Sequence, residues 1–199
     1  MLRGLWHGRA TSRTSDAYLC RAASLGEGEA LSTLYRRHGG LIYRFSLRLS
    51  RDASVAEEVT HDVFLTLLKN PGQFDASRGK LSTWLCGIAR RIIWKHLERS
   101  GRFEPFDEEG DAHSEADDPH MVLSRHETIS AVRQGVESLP EQLREVIVLC
   151  EFEEMSYEEV ASILAVPIGT VRSRLHRAKA RLAKSLAGIP VSPAKESRR

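Results

Sequence analysis

The chain has 199 residues, with 41% hydrophobic and 28% charged side chains and a formal net charge of only +2. That length holds one ordinary domain or two small ones, and the composition is that of a folded chain facing water. The longest apolar run, at 146–150, falls far short of the roughly 20 residues that cross a bilayer, so no membrane insertion is expected. Three cysteines, Cys20, Cys86 and Cys150, lie far apart. Without CxxC or His/Cys clusters they form no metal-ligand spacing, so no metal or other cofactor is expected, and a reduced, cytoplasmic compartment fits.

Residues 1–27 open with Arg3, Arg9 and Arg13 and no acid before Asp16, without the apolar stretch of a secretion signal. This is also the composition of an organelle transit peptide, but a loose tail is the expected reading. Residues 31–100 hold twelve Lys/Arg against six Asp/Glu, residues 101–120 hold one against eight, and residues 121–199 hold twelve against ten. Such alternation suggests two modules joined by a charged linker.

Taken along the chain, the pattern is helical almost throughout. Residues 30–50 carry Leu31, Leu34, Tyr35, Leu41, Ile42, Phe45 and Leu49 at helical spacing, and Gly39-Gly40 is a candidate kink. Val55, Val59, Val63 and Leu67 then repeat every four residues, until Asn70-Pro71-Gly72 ends that helix. On its other face stand Glu57, Glu58, His61, Leu65 and Leu68, apolar residues beside acids, which suggests a protein partner or, for the two leucines, a helix packed on two sides in a bundle. A basic loop with Arg78 and Lys80 leads to a third helix, 82–99, that mixes Trp84, Arg90, Arg91, Trp94 and Lys95. Aromatic faces stack on unpaired bases while cations hold the backbone, so this block is a candidate for opened, single-stranded DNA.

Residues 101–120 have no periodicity and eight acids, which marks a linker. The helical pattern resumes over 121–137 and 140–153, with Pro140 suited to a first turn. Ser156 and Glu159 form a capping-box pattern opening a short helix, 157–164. Ala165-Val166-Pro167 breaks it, and a second helix, 168–186, starts at once: a helix-turn-helix. Its stripe of Val171, Leu175, Ala178 and Leu182 faces inward, and six Lys/Arg with no acid lie between 168 and 184. Thr170, Arg172, Ser173, His176, Arg177 and Lys179 are the candidate DNA contacts, since a basic outer face is what major-groove docking needs. The tail 188–199 is expected to be loose.

These residues resemble the extracytoplasmic-function (ECF) sigma factors of bacterial RNA polymerase. In the first block the likeness rests on LYRRHGGLIYRF (34–45), AEEVTHDVFLTLL (56–68), FDASRGKLSTWL (74–85) and IARR (88–91). In the second it rests on LPEQLREVIVL (139–149) and SYEEVASILAVPIGTVRSRLHRAKARL (156–182). The resemblance implies an all-α, non-enzymatic chain of two small helical domains joined by the acidic linker. Residues 28–100 would be sigma domain two, and residues 121–187 domain four with its helix-turn-helix on the minus-35 element. It implies that Glu57, Glu58, His61, Asp62, Leu65 and Leu68 dock on core RNA polymerase. Arg78, Lys80, Trp84, Arg90, Arg91, Trp94 and Lys95 would melt and read the minus-ten element of promoter DNA. The linker would thread the polymerase channel, and an anti-sigma factor would be a further partner.

The reading helix departs from the family at Arg91, where Asn is common, at Lys95, where Asp is frequent, and at Glu98, where Arg is common. A LuxR-type regulator shares a similar C-terminal helix-turn-helix, but residues 31–100 lack the alternating strands of a receiver. No nucleophile elbow, phosphate-binding loop or dinucleotide motif supports an enzyme.

Overall fold

The computed structural model describes residues 15–101 and 125–187. Its described elements are helices, in the order α1 (Asp16–Ser24), α2 (Gly28–Ser50), α3 (Ala53–Lys69), α4 (Leu81–Arg99), α5 (Arg125–Ser138), α6 (Glu141–Ile147), α7 (Tyr157–Leu164) and α8 (Ile168–Ala187). A short 3₁₀ turn, Pro71–Gln73, follows α3, and α6 runs on into a π-helical turn, Val148–Phe152. The acidic strip 102–120 and the tails 1–14 and 188–199 lie outside the described residues, and with them what the sequence suggests for those segments.

The expectation of a loose tail through residue 27 does not hold for α1. The Ser15 hydroxyl accepts from the Tyr18 amide at 3.3 Å and caps the helix. Leu19, Cys20, Ala22 and Ala23 are buried, and Asp16 ties the helix to α2 through Arg37 at 2.9 Å and His38 at 3.0 Å. Its buried face is made mostly of small residues, so it offers little hydrophobic signal beside an Arg/Ser-rich stretch.

Helix α2 runs through Gly39-Gly40 without a break, so the pair does not interrupt it. A Cβ on Gly39 would come within 3.2 Å of the Tyr35 ring, which itself packs on Phe64 with centroids 4.8 Å apart. The glycine makes room for a ring on the helix surface. Helix α3 is capped by Asp52, whose carboxylate accepts from the amides of Ser54 (2.9 Å) and Val55 (3.3 Å). Its stripe of Val55, Val59, Val63 and Leu67 is buried as expected. Helix α4 buries Leu85, Ile88, Ala89, Ile93 and Leu97 and packs on α2, α3 and α7.

In the C-terminal unit, α5 and α8 approach closely at Gly135, where an added Cβ would stand 2.5 Å from Leu182 Cδ1. Pro140 is the N-cap of α6. The stretch expected as one helix over 140–153 loosens to π geometry after Ile147, which re-aims the chain ahead of α7. The α8 stripe is buried at Val171, Leu175 and Ala178.

The two units do not stand apart. One core cluster runs from Leu34, Phe45 and Leu85 through to Leu143, Leu149 and Val160. Arg144, only 2% exposed, sits at the junction. Its guanidinium donates to the carbonyls of Val136 (3.2 Å), Glu137 (3.0 Å) and Leu139 (2.5 Å) at the end of α5, and to Leu49 of α2 at 3.5 Å. A cation suits those carbonyls, the negative pole of α5. Burial and the neighbouring Arg51 pull its pKa down to about 10, so it remains charged at neutral pH.

Candidate nucleic-acid and polymerase interfaces

The helix-turn-helix is built by local chemistry. The Ser156 hydroxyl accepts from the Glu159 amide at 3.3 Å, and the Glu159 carboxylate accepts in return from the Ser156 amide at 3.0 Å. The turn between α7 and α8 passes through Ala165 in the left-handed region, at φ 56° and ψ 44°. With Val171 and Leu175 turned inward, Arg172, Ser173, His176 and Lys179 are exposed, and Thr170 and Arg177 are half-buried beside them. The Arg172 guanidinium lies 5.9 Å from the centre of the Tyr157 ring. Lys179 pairs with Glu151 at 2.9 Å, and that bond holds its ammonium above the usual pKa. Five of the six expected contacts therefore share an outward, cationic or polar band, with Lys179 turned toward the π-helical turn.

On α3, Glu57, Glu58 and His61 are exposed, while Asp62, Leu65 and Leu68 are half-buried along the same face. Leu68 packs against the core, which accounts for one of the two leucines that suggested a partner.

The expected minus-ten residues fall into two sets. Arg78, Arg91 and Lys95 are exposed. In the loop before α4, Asp75 accepts from the amide and hydroxyl of Ser77, at 2.9 and 2.7 Å, and these bonds hold its carboxyl below the ordinary range. Trp84 is half-buried, its ring 5.9 Å from that of Phe74, so its body belongs to the packing.

Lys80, Arg90 and Trp94 instead meet the C-terminal unit. Arg90 Nε donates to Glu145 Oε1 at 2.8 Å, the indole N–H of Trp94 donates to the same oxygen, and the Arg90 guanidinium lies 5.2 Å from the centre of the Trp94 ring. Glu145 is fully buried, and burial pushes its carboxyl pKa up against the opposing pull of Arg90 and Trp94. Lys80 Nζ pairs with Glu159 Oε1 at 3.0 Å, and the Thr83 hydroxyl donates there at 3.2 Å. Burial raises the Glu159 carboxyl, but the Ser156 amide with Lys80 and Thr83 outweighs it and holds the group low.

A third contact joins α2 to the π-helical turn. Glu153, its side chain 1% exposed, accepts from Arg44 (2.6 Å) and Arg48 (2.7 Å). Sequence reasoning assigned no role to Glu145, Glu153, Arg44, Arg48 or Arg144, and gave Glu159 only its cap. The available signal was the run of five Glu over 151–159 facing a block with twice as many cations as acids.

The thiols are chemically quiet. Burial pushes Cys20 to about 11, Cys86 to about 12 and Cys150 to about 11. Among the described residues, no group of His, Cys, Asp or Glu could hold a metal ion, and no helix is long and apolar enough to cross a membrane.

Comparison with known proteins settles which family builds this arrangement. Residues 34–103 match the family described as Sigma-70 region 2, and residues 129–182 match Sigma-70, region 4. The RNA polymerase sigma-H factor of Pseudomonas aeruginosa is 31% identical over 185 residues, covering 88% of this chain and 95% of its own. This chain belongs to the ECF-type sigma factors of the sigma-70 family. The ECF RNA polymerase sigma-E factor of Escherichia coli (strain K12) is 30% identical over 181 residues, covering 85% of this sigma factor and 93% of its own length. In fold, this sigma factor is similar to the sigma factor RpoE of Bartonella quintana, solved in complex with the anti-sigma factor NepR. The TM-score is 0.61 at 23% identity, covering 80% of this chain and 98% of that one. The region 2 match sets aside the LuxR-type reading, whose likeness was confined to the helix-turn-helix.

Proposed function

We propose that the N-terminal unit of this sigma factor grips core RNA polymerase and opens promoter DNA, while the C-terminal unit anchors the upstream element. The observation that carries this is the division of surfaces. The face of α3 with Glu57, Glu58 and His61 sets two exposed acids, which repel phosphate, beside the half-buried Leu65, so it suits a protein partner. Helix α4 and the loop before it, with Arg78, Lys80, Arg90, Arg91, Trp94 and Lys95, pair cations with an indole, the chemistry of an unpaired strand. The α8 face with Thr170, Arg172, Ser173, His176 and Arg177 presents forked donors from one helix, the chemistry of a major groove.

Each interface then has a role. Phosphate contacts by Arg78, Arg91 and Lys95 position the strand, and Trp94 offers a stacking surface. Arg172 and Arg177 supply base or phosphate contacts upstream. The chain works in the cytoplasm as an initiation factor, without catalysis of its own. A regulatory anti-sigma partner is supported by the fold likeness to a sigma factor solved with one.

Run-off transcription with purified core polymerase on a genomic library tests the reading. Discrete starts sharing two upstream sequence elements are the expected result. Core polymerase that initiates no differently with the chain present refutes it.

A further inference from the structure

Beside the C-terminal half of α2 lies a cavity of about 520 Å³ that none of the assigned surfaces uses. Small-molecule sites span about 300–1,000 Å³. The floor of the cavity is apolar: Leu47 from α2, Val132 and Val136 from α5, and Phe152 from the π-helical turn. Its walls are cationic. Arg44, Arg48 and Arg51 come from α2 and its C-cap, and Arg133 comes from α5. Among the described residues, Glu137 is the acid in the lining.

These cations differ in what they meet. Arg44 and Arg48 are held by Glu153, at 2.6 and 2.7 Å, and the Arg48 guanidinium lies over the Phe152 ring at 4.8 Å. Arg51 and Arg133 are exposed and make no ion pair or side-chain hydrogen bond among the described residues. Arg51 instead bears as a like charge on the buried Arg144. It stands at φ 58° and ψ 22°, the left-handed helix end where glycine is the usual residue, so a guanidinium occupies a position that disfavours a Cβ. An anion in the cavity meets two unpaired cations and offsets the repulsion between Arg51 and Arg144.

The lining also narrows the rest of the ligand. Among the described residues it offers no neutral polar side chain to read the edge of a nucleobase, and Arg48 covers one face of its ring. A linear hydrocarbon needs neither. We propose that the cavity binds an acyl-chain anion, its chain on Leu47, Val132, Val136 and Phe152 and its carboxylate or phosphate head at Arg51 and Arg133. Both heads present oxygen acceptors that a guanidinium fork fits. The lining comes from both units, so the occupant stabilises their contact by mass action. Neither the polymerase-docking nor the DNA-binding assignment is needed for this site.

Isothermal titration of the full-length chain with decanoate, without polymerase or DNA, tests it. One saturable equivalent is expected, with decyl phosphate competing for the same site. Either head upholds the proposal, and the tighter of the two identifies the source. Arg51→Ala with Arg133→Ala removes the head contacts and leaves the Glu153 pairs intact. Decanoate affinity should then fall about tenfold or more. Val132→Phe fills the floor and keeps every charge, and should weaken binding by a similar factor. If that variant is misfolded by circular dichroism, hexanoate on the parent chain reads the same contact. With four fewer methylenes to bury, it should bind about tenfold more weakly or worse.

Unchanged affinity in the double-arginine variant overturns the proposal, as does equal binding of hexanoate and decanoate. Guanosine diphosphate binding more tightly than decanoate assigns the cavity to nucleotides and overturns it too. So does a parent chain that shows no saturable binding, or takes up several molecules of decanoate.

Discussion

The guanidinium of Arg144 reaches the carbonyl of Leu49, 95 residues earlier in the chain, at 3.5 Å. One buried cation thus closes the C-terminal end of α5 and touches the last turn of α2. Replacing it with Met keeps the volume and removes every donor. Each buried carbonyl left without a partner costs about 1–3 kcal/mol. Arg144→Met should therefore lower stability by about 3 kcal/mol or more, seen as a lower urea midpoint. A midpoint unchanged from the parent would show that water satisfies these carbonyls.

Glu145 makes the junction sensitive to pH. It is faced by Arg90 and Trp94 from α4 and by Arg174 from α8, yet burial raises its pKa. A raised value in the closed form means that closure binds the proton more tightly. Closure is fully favoured below the ordinary glutamate range and weakens as pH rises through the raised value. The radius of gyration should increase with pH over that interval, and Glu145→Gln should remove the dependence. A pH response that persists in Glu145→Gln assigns the effect to another group.

The turn of the helix-turn-helix holds Ala165 at φ 56°. An L-residue with a Cβ pays about 1–2 kcal/mol there, while glycine loses part of that gain through its freer unfolded state. Ala165→Gly should therefore raise stability by about 0.5–1 kcal/mol, read from thermal melting. A fall in melting temperature would contradict the left-handed geometry of the turn.

Helix α3 gives a prediction that depends on a partner. Charge reversal at Glu58 with Leu65→Ala should weaken binding to core polymerase by tenfold or more, about 1.4 kcal/mol. Binding of duplex DNA carrying the upstream element should be unchanged. Equal core affinity in a titration would move the docking surface elsewhere.

Much of this architecture could be read from the residues. The valine stripe of α3 and the Val171, Leu175, Ala178 stripe of α8 are buried where their periods place them. The Ser156–Glu159 capping box forms as its spacing implies. What escaped was tertiary. Helix α1 buries a short face dominated by alanine and cysteine, whose burial only the packing against α2 reveals. Gly39-Gly40 reads as a break because propensity is local, whereas the Tyr35 ring that fills the space comes from a contact. The acids over 151–159 drew no reading beyond the Glu159 cap, and only the fold brings Glu153 and Glu159 against cations more than 75 residues away. Trp84 shows the reverse: the mix of aromatic and basic residues on α4 suggests a stacking surface, while the structure packs its ring beside Phe74, as a lone Trp at helical spacing more often does.

The recognition helix is tested by Arg172→Ala and Arg177→Ala. Both lie off the buried stripe, so the fold should persist, and promoter affinity should fall by about 1–3 kcal/mol for each lost base contact. Undiminished affinity with both removed would assign upstream recognition to other residues.

The central claim is that α4 opens promoter DNA while α8 holds the upstream element. Permanganate footprinting of the holoenzyme on a mapped promoter tests it most directly, since it reports unpaired thymines. The parent chain should give reactive thymines just upstream of the start. Arg91→Ala with Lys95→Ala should lose that reactivity and keep protection of the upstream element. Full thymine reactivity in that variant, or loss of upstream protection along with melting, would contradict the division of labour between the two units.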